Sequence, residues 1–327
     1  MTQQSVGALG CKYLFGPVFS RRLGRSLGVD LLPYKTCSLD CVYCECGATT
    51  HLTASTAAFV PTGDVLAELD DYLGRSPAID FVTFAGSGEP TLHADLGSII
   101  AHLKHRHGRY KVAVLTNGTL FRRPEVRAAV MEADLLVPSL DGATANSFQA
   151  INRPEPSILI DDVVEGLAAM RKAYRGTFVL EVFVVPGVND GEREVGALRA
   201  AALRISPDAI QLNRLDRPGV LPWVCQASDE LLARIHSQLE PLTVFEVARR
   251  QPGEARRADD GLVRRAILAR LAQSAFDTTT LAFLLGYHEG LIAKHVNQLL
   301  AEGRLERVAE DDASSETSPR RLVVKAV

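Results

Sequence analysis

The chain has 327 residues, 46% hydrophobic and 23% charged, which points to a packed globular protein and excludes intrinsic disorder. A formal net charge of -3 and a pI near 6.3 exclude a chain that is basic throughout, so any nucleic-acid contact would need a local basic patch. No apolar run reaches bilayer length and no basic segment precedes a long apolar one, so a cytoplasmic location is expected.

Residues 1–13 are polar and unpatterned, with Cys11 an incidental thiol. Arg21, Arg22 and Arg25 follow as a solvated charge run. The apolar run 26–32 reads as the first strand, with a cysteine-rich loop on its carboxyl end. Val65, Leu66, Leu69 and Leu73 recur at helical spacing and predict a helix over 64–73. Strand and helix then alternate: strands over 81–84, 111–115, 135–141, 178–185 and 209–215, and helices over 96–105, 124–132, 160–174, 195–205 and 231–239. Six strands separated by helices imply parallel pairing, because each crossover returns the chain to the same edge. The predicted fold class is α/β, a partial (β/α)6 TIM-like barrel, whose chemistry sits at the carboxyl ends of the strands.

Residues 248–258, rich in Pro, Gly and Arg, read as a linker between a barrel domain over 1–247 and a second domain over 259–327. That second domain has helices over 262–272, 278–285 and 291–300, a turn at Gly286-Tyr287, and a hairpin over 308–324 with its tip at 311–319. Three helices and a two-stranded wing predict a C-terminal winged-helix domain, with Lys294, His295 and Asn297 on its recognition helix. Nine Lys or Arg against ten Asp or Glu give it little pull on phosphate.

Cys37, Cys41 and Cys44 form a C-x3-C-x2-C array. Thiolates are the ligands an iron–sulfur cluster demands, and three of them leave one iron of a cube open to another ligand. A zinc site closed by His51 is the rival reading. Cys46 reads as a spare ligand, a substrate-facing thiol or a thiol with no role, the last being favoured, and Trp223 and Cys225 read as packing. Gly86-Ser87-Gly88-Glu89-Pro90 would bring bare backbone and one carboxylate to the end of the second strand. Thr116-Asn117-Gly118 reads as a turn. Ser139 and Asp141, at alternate positions, share a strand face. A buried Asp141 calls for a ligand or a basic partner. Asn152, Arg153, Glu181, Asn213 and Arg217 read equally as ion pairs, turns or substrate contacts.

The array, with Tyr43 just before its third cysteine, resembles the signature of the radical S-adenosylmethionine (SAM) superfamily. The stretch from Gly16-Pro17-Val18-Phe19-Ser20 to Gly47 resembles the wyosine-synthase-related branch of the MoaA/NifB-like iron–sulfur oxidoreductases. The resemblance implies a 4Fe-4S cluster on Cys37, Cys41 and Cys44, with the amino and carboxylate groups of SAM on the fourth iron. Reductive cleavage of SAM to a 5'-deoxyadenosyl radical would then remove hydrogen from a substrate. Gly86, Gly88 and Glu89 resemble the loop that holds the methionyl amino group, with Ser87 a departure. Thr116 and Asn117 would line the cofactor pocket, and Ser139 and Asp141 would meet ribose hydroxyls or the cofactor carboxylate. The backbone of Tyr43 would meet adenine, and the turn from Val185 to Gly187 would shelter it. The arginines at 21, 22 and 25 become candidates for facing an anion. No catalytic side chain is assigned. An external one-electron donor, flavodoxin or ferredoxin, is expected, and the substrate is a small molecule, a peptide or RNA. Alternatives are a tRNA-modifying enzyme like wyosine synthase, and an iron–sulfur sensor binding DNA through the winged helix.

Overall fold

Runs of three to seven residues build the sheet, and the helices between them cover its outer face. The structure, a computed structural model, describes residues 11–20, 23–216, 219–247, 260–272, 276–285, 289–308 and 323–326. The expected linker 248–258, the turn Gly286-Tyr287, the tip 311–319 and the residues Arg21, Arg22, Arg217 and Pro218 lie outside these. Two compact units result: Met1–Val18 with Arg25–Glu246, and Phe19–Gly24 with Val247–Val327.

In the first unit the elements run β1 (Leu14–Ser20), β2 (Gly24–Val29), β3 (Thr36–Cys37), β4 (His51–Leu52), α1 (Thr62–Gly74), β5 (Phe81–Phe84), a 3-10 turn (Pro90–Leu92), α2 (Leu96–Arg106), β6 (Lys111–Thr116) and α3 (Pro124–Ala129). There follow β7 (Leu135–Pro138), α4 (Ala145–Asn152), α5 (Ile160–Ala173), β8 (Thr177–Phe183), α6 (Glu192–Ile205), β9 (Ala209–Asn213), α7 (Asp229–Gln238) and β10 (Val244–Glu246). The sheet order is β1-β2-β5-β6-β7-β8-β9-β10, and every pair from β2 to β10 is parallel. Alternate residues such as Val82, Val114, Leu136, Leu180 and Leu212 face the core shared with Leu69 of α1, Ile99 of α2, Leu167 of α5 and Leu198 of α6. On the opposite face the Ser26 and Thr83 hydroxyls lie 2.6 Å apart, and the Phe15 ring closes over Gly28, where a Cβ would come within 2.0 Å of it.

The six predicted parallel strands are all present, but among the described residues the sheet has eight. β1 escaped the sequence reading because it carries Gly16 and Pro17, and β10 because it has three residues. The first strand leaves the sheet at Val29, not at Leu32, and the fourth ends at Pro138, so Ser139 and Asp141 follow the strand and are not part of it. Helix α4 was also unexpected. It is nucleated by a capping box in which Thr144 and Ser147 satisfy each other's backbone.

The second unit runs α8 (Asp260–Leu271), β11 (Phe276–Asp277), α9 (Thr278–Leu285), α10 (Glu289–Ala301), β12 (Leu305–Val308) and β13 (Val323–Ala326). Its three strands are antiparallel in the order β11-β13-β12, so the expected hairpin sits further out than 308–324 at both ends and gains a third strand. Val263, Ile267, Leu281, Ile292, Val296 and Leu299 are buried. The three residues expected on the recognition helix all lie on α10, where His295 shares the buried stripe at 1% exposure and Lys294 and Asn297 are exposed.

Candidate cofactor site

The cysteine loop is pinned at both ends. Lys35 adopts a left-handed φ of 57°, and its carbonyl accepts from Thr50 and His51 N–H, both at 3.1 Å, which closes the segment between β3 and β4. Asp40 N–H donates to the Asn152 carbonyl at 2.9 Å and Val42 N–H to the Ile151 carbonyl at 2.9 Å, so the carboxyl end of α4 holds the loop's outer edge. Within this frame each of three sulfurs meets a donor from a different part of the chain. Asn117 Nδ2 donates to Cys37 Sγ at 3.6 Å, Asn152 Nδ2 to Cys41 Sγ at 3.4 Å, and Lys35 Nζ to Cys44 Sγ at 3.0 Å. Cys46 is exposed, with Sγ 3.8 Å from the Gly86 carbonyl. His51, the candidate fourth zinc ligand, is exposed in β4 and sets its ring edge-on to Phe59.

Burial pushes the Cys37 thiol up to about 11, helped by the Glu89 carboxylate, and pushes Cys41 well up, helped by Asp141. Cys44 is held at about 5 because the Cys46 thiol donates to it and, against the cost of burial, the Lys35 ammonium stands beside it. Burial works against the Lys35 charge, but Cys44 outweighs it and raises the lysine. Soft sulfur donors with hydrogen bonds to each sulfur form a set that fits an iron–sulfur cube.

The glycine turn after β5 is tight for reasons internal to the protein. A Cβ on Gly88 would lie 2.0 Å from the Thr36 carbonyl, and one on Gly86 2.2 Å from the Asp30 carboxylate. Glu89 is buried and accepts four hydrogen bonds: Thr91 N–H at 3.0 Å, Thr91 Oγ1 at 2.6 Å and Thr116 Oγ1 at 2.6 Å on Oε1, and Asn117 N–H at 2.6 Å on Oε2. Burial raises its carboxyl while these donors oppose the rise. Glu89 thereby fixes Thr116 and Asn117, the end of β6.

Asp141 is the second buried acid. Its carboxylate accepts from Tyr43 Oη at 2.6 Å, Asn152 Nδ2 at 2.7 Å and Phe183 N–H at 2.8 Å. Burial pushes it up to about 6 despite the Tyr43 and Asn152 bonds. In place of the basic partner offered by the sequence reading, neutral donors meet the carboxylate. Ser139 N–H donates to the Thr116 carbonyl at 3.0 Å, and Val185 N–H to Asn189 Oδ1 at 2.8 Å, the same side chain whose amide holds the Asp141 carbonyl at 2.7 Å.

Cys41, Tyr43, Asn117, Ser139, Asp141 and Asn152 line one small cleft, completed by Leu39, Leu140, Phe148 and Val163. Asn152 Oδ1 is buried there without a hydrogen-bond partner. Gly86, Gly88, Glu89 and Val185 do not line that cleft; Glu89 reaches it through Asn117. Glu181 takes a 2.6 Å bond from Gln211 Nε2 in the adjoining strand. Trp223, at 50% exposure, and Cys225 are exposed, which corrects their reading as packing residues. Lys35 escaped sequence reasoning altogether; its only signal was a cation two places before the first cysteine of an apolar segment.

Residues 31–197 match the sequence profile of the Radical SAM superfamily, more than half of the chain. The chain belongs to this superfamily and is a radical SAM enzyme, with a 4Fe-4S cluster and SAM as its cofactors. It is 37% identical over 206 residues to a UPF0026 protein of Synechocystis, covering 63% of this chain and 76% of that one. It is also 39% identical over 204 residues to a Brachyspira hyodysenteriae protein named GTPase Obg, covering 62% of this chain and only 30% of that longer protein. Among solved structures, a radical SAM methyltransferase from Sphaerobacter thermophilus superposes with a TM-score of 0.53 at 16% identity, over 68% of this chain and 65% of that one. That is a likeness of fold, and it sets the parallel sheet among the TIM-like barrels of these enzymes. No described helix is long and apolar enough to cross a membrane.

Proposed function

We propose that Cys37, Cys41 and Cys44 hold the 4Fe-4S cluster and that the adjoining cleft takes SAM. The observation that carries this reading is that each of three sulfurs of one loop receives a side-chain donor: Cys44 from Lys35 of the same loop, Cys37 from Asn117 just after β6, and Cys41 from Asn152 at the end of α4. When bound, the cluster and SAM supply reductive cleavage to methionine and a 5'-deoxyadenosyl radical that takes a hydrogen atom from the substrate. The chain's own residues bind and orient. Asn152, with one amide oxygen unpartnered, and Ser139 offer polar contacts to the cofactor, while Glu89 and Asp141 act through the side chains and backbone they fix. The electron comes from an external donor of the flavodoxin or ferredoxin kind.

The substrate class stays with a small molecule, a peptide or RNA. In the second unit the order helix, short strand, two helices, two strands supports a winged-helix reading, with the barrel domain ending near residue 247. Its near-neutral charge and buried His295 favour a protein or substrate contact over DNA.

Anaerobic reconstitution followed by SAM and dithionite tests the ligand assignment. Wild type should bind four irons and release 5'-deoxyadenosine. Cys41→Ala should lose both the brown colour and the product, and Cys46→Ala should keep them. Product from a colourless Cys41→Ala protein would overturn the assignment, and loss of colour in Cys46→Ala would make Cys46 a ligand.

A further inference from the structure

Of the three side-chain nitrogens that donate to the cysteine sulfurs, two are neutral amides and one is a lysine ammonium. Lys35 is 3% exposed, and its Nζ lies 3.0 Å from Cys44 Sγ. A buried ammonium is costly unless it is paired. Asn117 and Asn152 perform the hydrogen-bonding task at Cys37 and Cys41 with no charge, so a lysine at Cys44 adds something a donor alone does not. The position is also rigid. The left-handed backbone at Lys35 and the Thr50 and His51 bonds to its carbonyl fix the residue from which the side chain springs.

We propose that Lys35 is a positioning residue that tunes the cluster: its fixed cation beside the Cys44 sulfur favours the state with one more electron. This rests on Cys44 being a cluster ligand. The reduction potential of a cluster follows its net charge and the hydrogen bonds to its sulfurs. Reduction adds one negative charge next to the ammonium, so the cation stabilises the product of the step more than the starting state. The electron delivered by the flavodoxin or ferredoxin donor is the one that SAM cleavage consumes, and Lys35 eases its arrival without touching SAM.

The test uses the full-length reconstituted protein and three variants, Lys35→Met, Lys35→Gln and Lys35→Arg. Iron content is measured first, then the midpoint potential by EPR-monitored redox titration without SAM, and SAM affinity for the oxidised protein separately. Lys35→Met and Lys35→Gln should keep their iron, bind SAM within twofold of wild type, and shift to lower potential. The expected size is about a tenfold fall in the reduced-to-oxidised ratio at fixed potential, or about 59 mV for one electron. Lys35→Arg should restore most of the difference. A wild-type potential in Lys35→Gln, which keeps a donor and loses the charge, overturns the proposal. So does weakened SAM binding at unchanged potential, which would make Lys35 a ligand of the cofactor carboxylate, and so does loss of iron from all three variants. Failure of the underlying reading looks different: Cys44→Ala would keep its full iron content.

Discussion

Tyr43 lies flat against Phe183, ring centroids 3.8 Å apart and planes 5° from parallel, while its hydroxyl reaches Asp141 Oδ2 at 2.6 Å. The cysteine loop is thereby tied to the ends of β7 and β8 through one side chain. Tyr43→Phe keeps the stack and loses one hydrogen bond whose acceptor is still served by Asn152, so it should cost about 1 kcal/mol. Asp141→Asn is worse, because either orientation of the amide sets its NH2 against a donor, Phe183 N–H on one side or Asn152 on the other. About 1–3 kcal/mol is expected. Urea denaturation of the two variants gives the comparison, and equal losses would mean the carboxylate is not the hub described.

Glu89 makes a similar prediction at the end of β6. Oε1 takes three donors and Oε2 takes Asn117 N–H, so Glu89→Gln must point its NH2 at a donor it cannot satisfy. A loss of about 1–3 kcal/mol is expected, with Glu89→Ala costing more because four donors lose their acceptor. Since Asn117 is also the Cys37 donor, SAM binding to the reconstituted protein should weaken in both variants. Unchanged SAM affinity in Glu89→Ala would separate the acid from the site.

The parts of this site legible in sequence were those set by local pattern. Six apolar runs separated by amphipathic helices can hardly pair otherwise than in parallel, and the cysteine spacing and glycine turn are contiguous. What was not legible depends on which loops meet. Nothing in the local pattern marks Lys35, which is buried by a left-handed turn and closure onto Thr50. Asp141 called for a ligand or a basic partner, and the Tyr43 hydroxyl and the Asn152 amide at the end of α4 meet it as neutral donors. Helix α4, with Phe148 and Ile151 as its large apolar residues, is too weakly periodic to announce itself, yet it holds the cysteine loop.

The two glycines of the turn after β5 should differ sharply. Alanine at Gly88 drives a methyl into the Thr36 carbonyl, which is backbone in β3 and directly precedes Cys37. At Gly86 the obstacle is the Asp30 carboxylate, a side chain able to swing away at the loss of its 3.0 Å bonds to Ser87. Gly88→Ala should therefore cost about 3 kcal/mol and lower iron uptake, and Gly86→Ala about 1 kcal/mol with iron retained. Iron counts and thermal melts on the pair decide it, and an order reversed from this one would refute the packing argument.

Asp70 of α1 accepts His102 Nε2 at 2.8 Å and His107 Nε2 at 2.6 Å on one oxygen, with Arg106 Nε at 3.2 Å on the other. These ligand atoms are close enough to surround a metal ion, but the guanidinium on the same carboxylate favours an ion-paired staple between α1 and α2. Partial burial works against the Asp70 charge, yet the His102 and His107 bonds outweigh it and hold the carboxyl below its ordinary range. The folded protein then binds fewer protons at this site than the unfolded chain near the ordinary carboxylate pKa of about 3.9. The staple's contribution is complete above that pH and is lost as pH falls through the depressed folded value. Asp70→Asn should melt about 2 °C below wild type at pH 6, with the gap closing as both approach pH 3. Melting curves across that range check the sign; a gap that widens on acidification would contradict it.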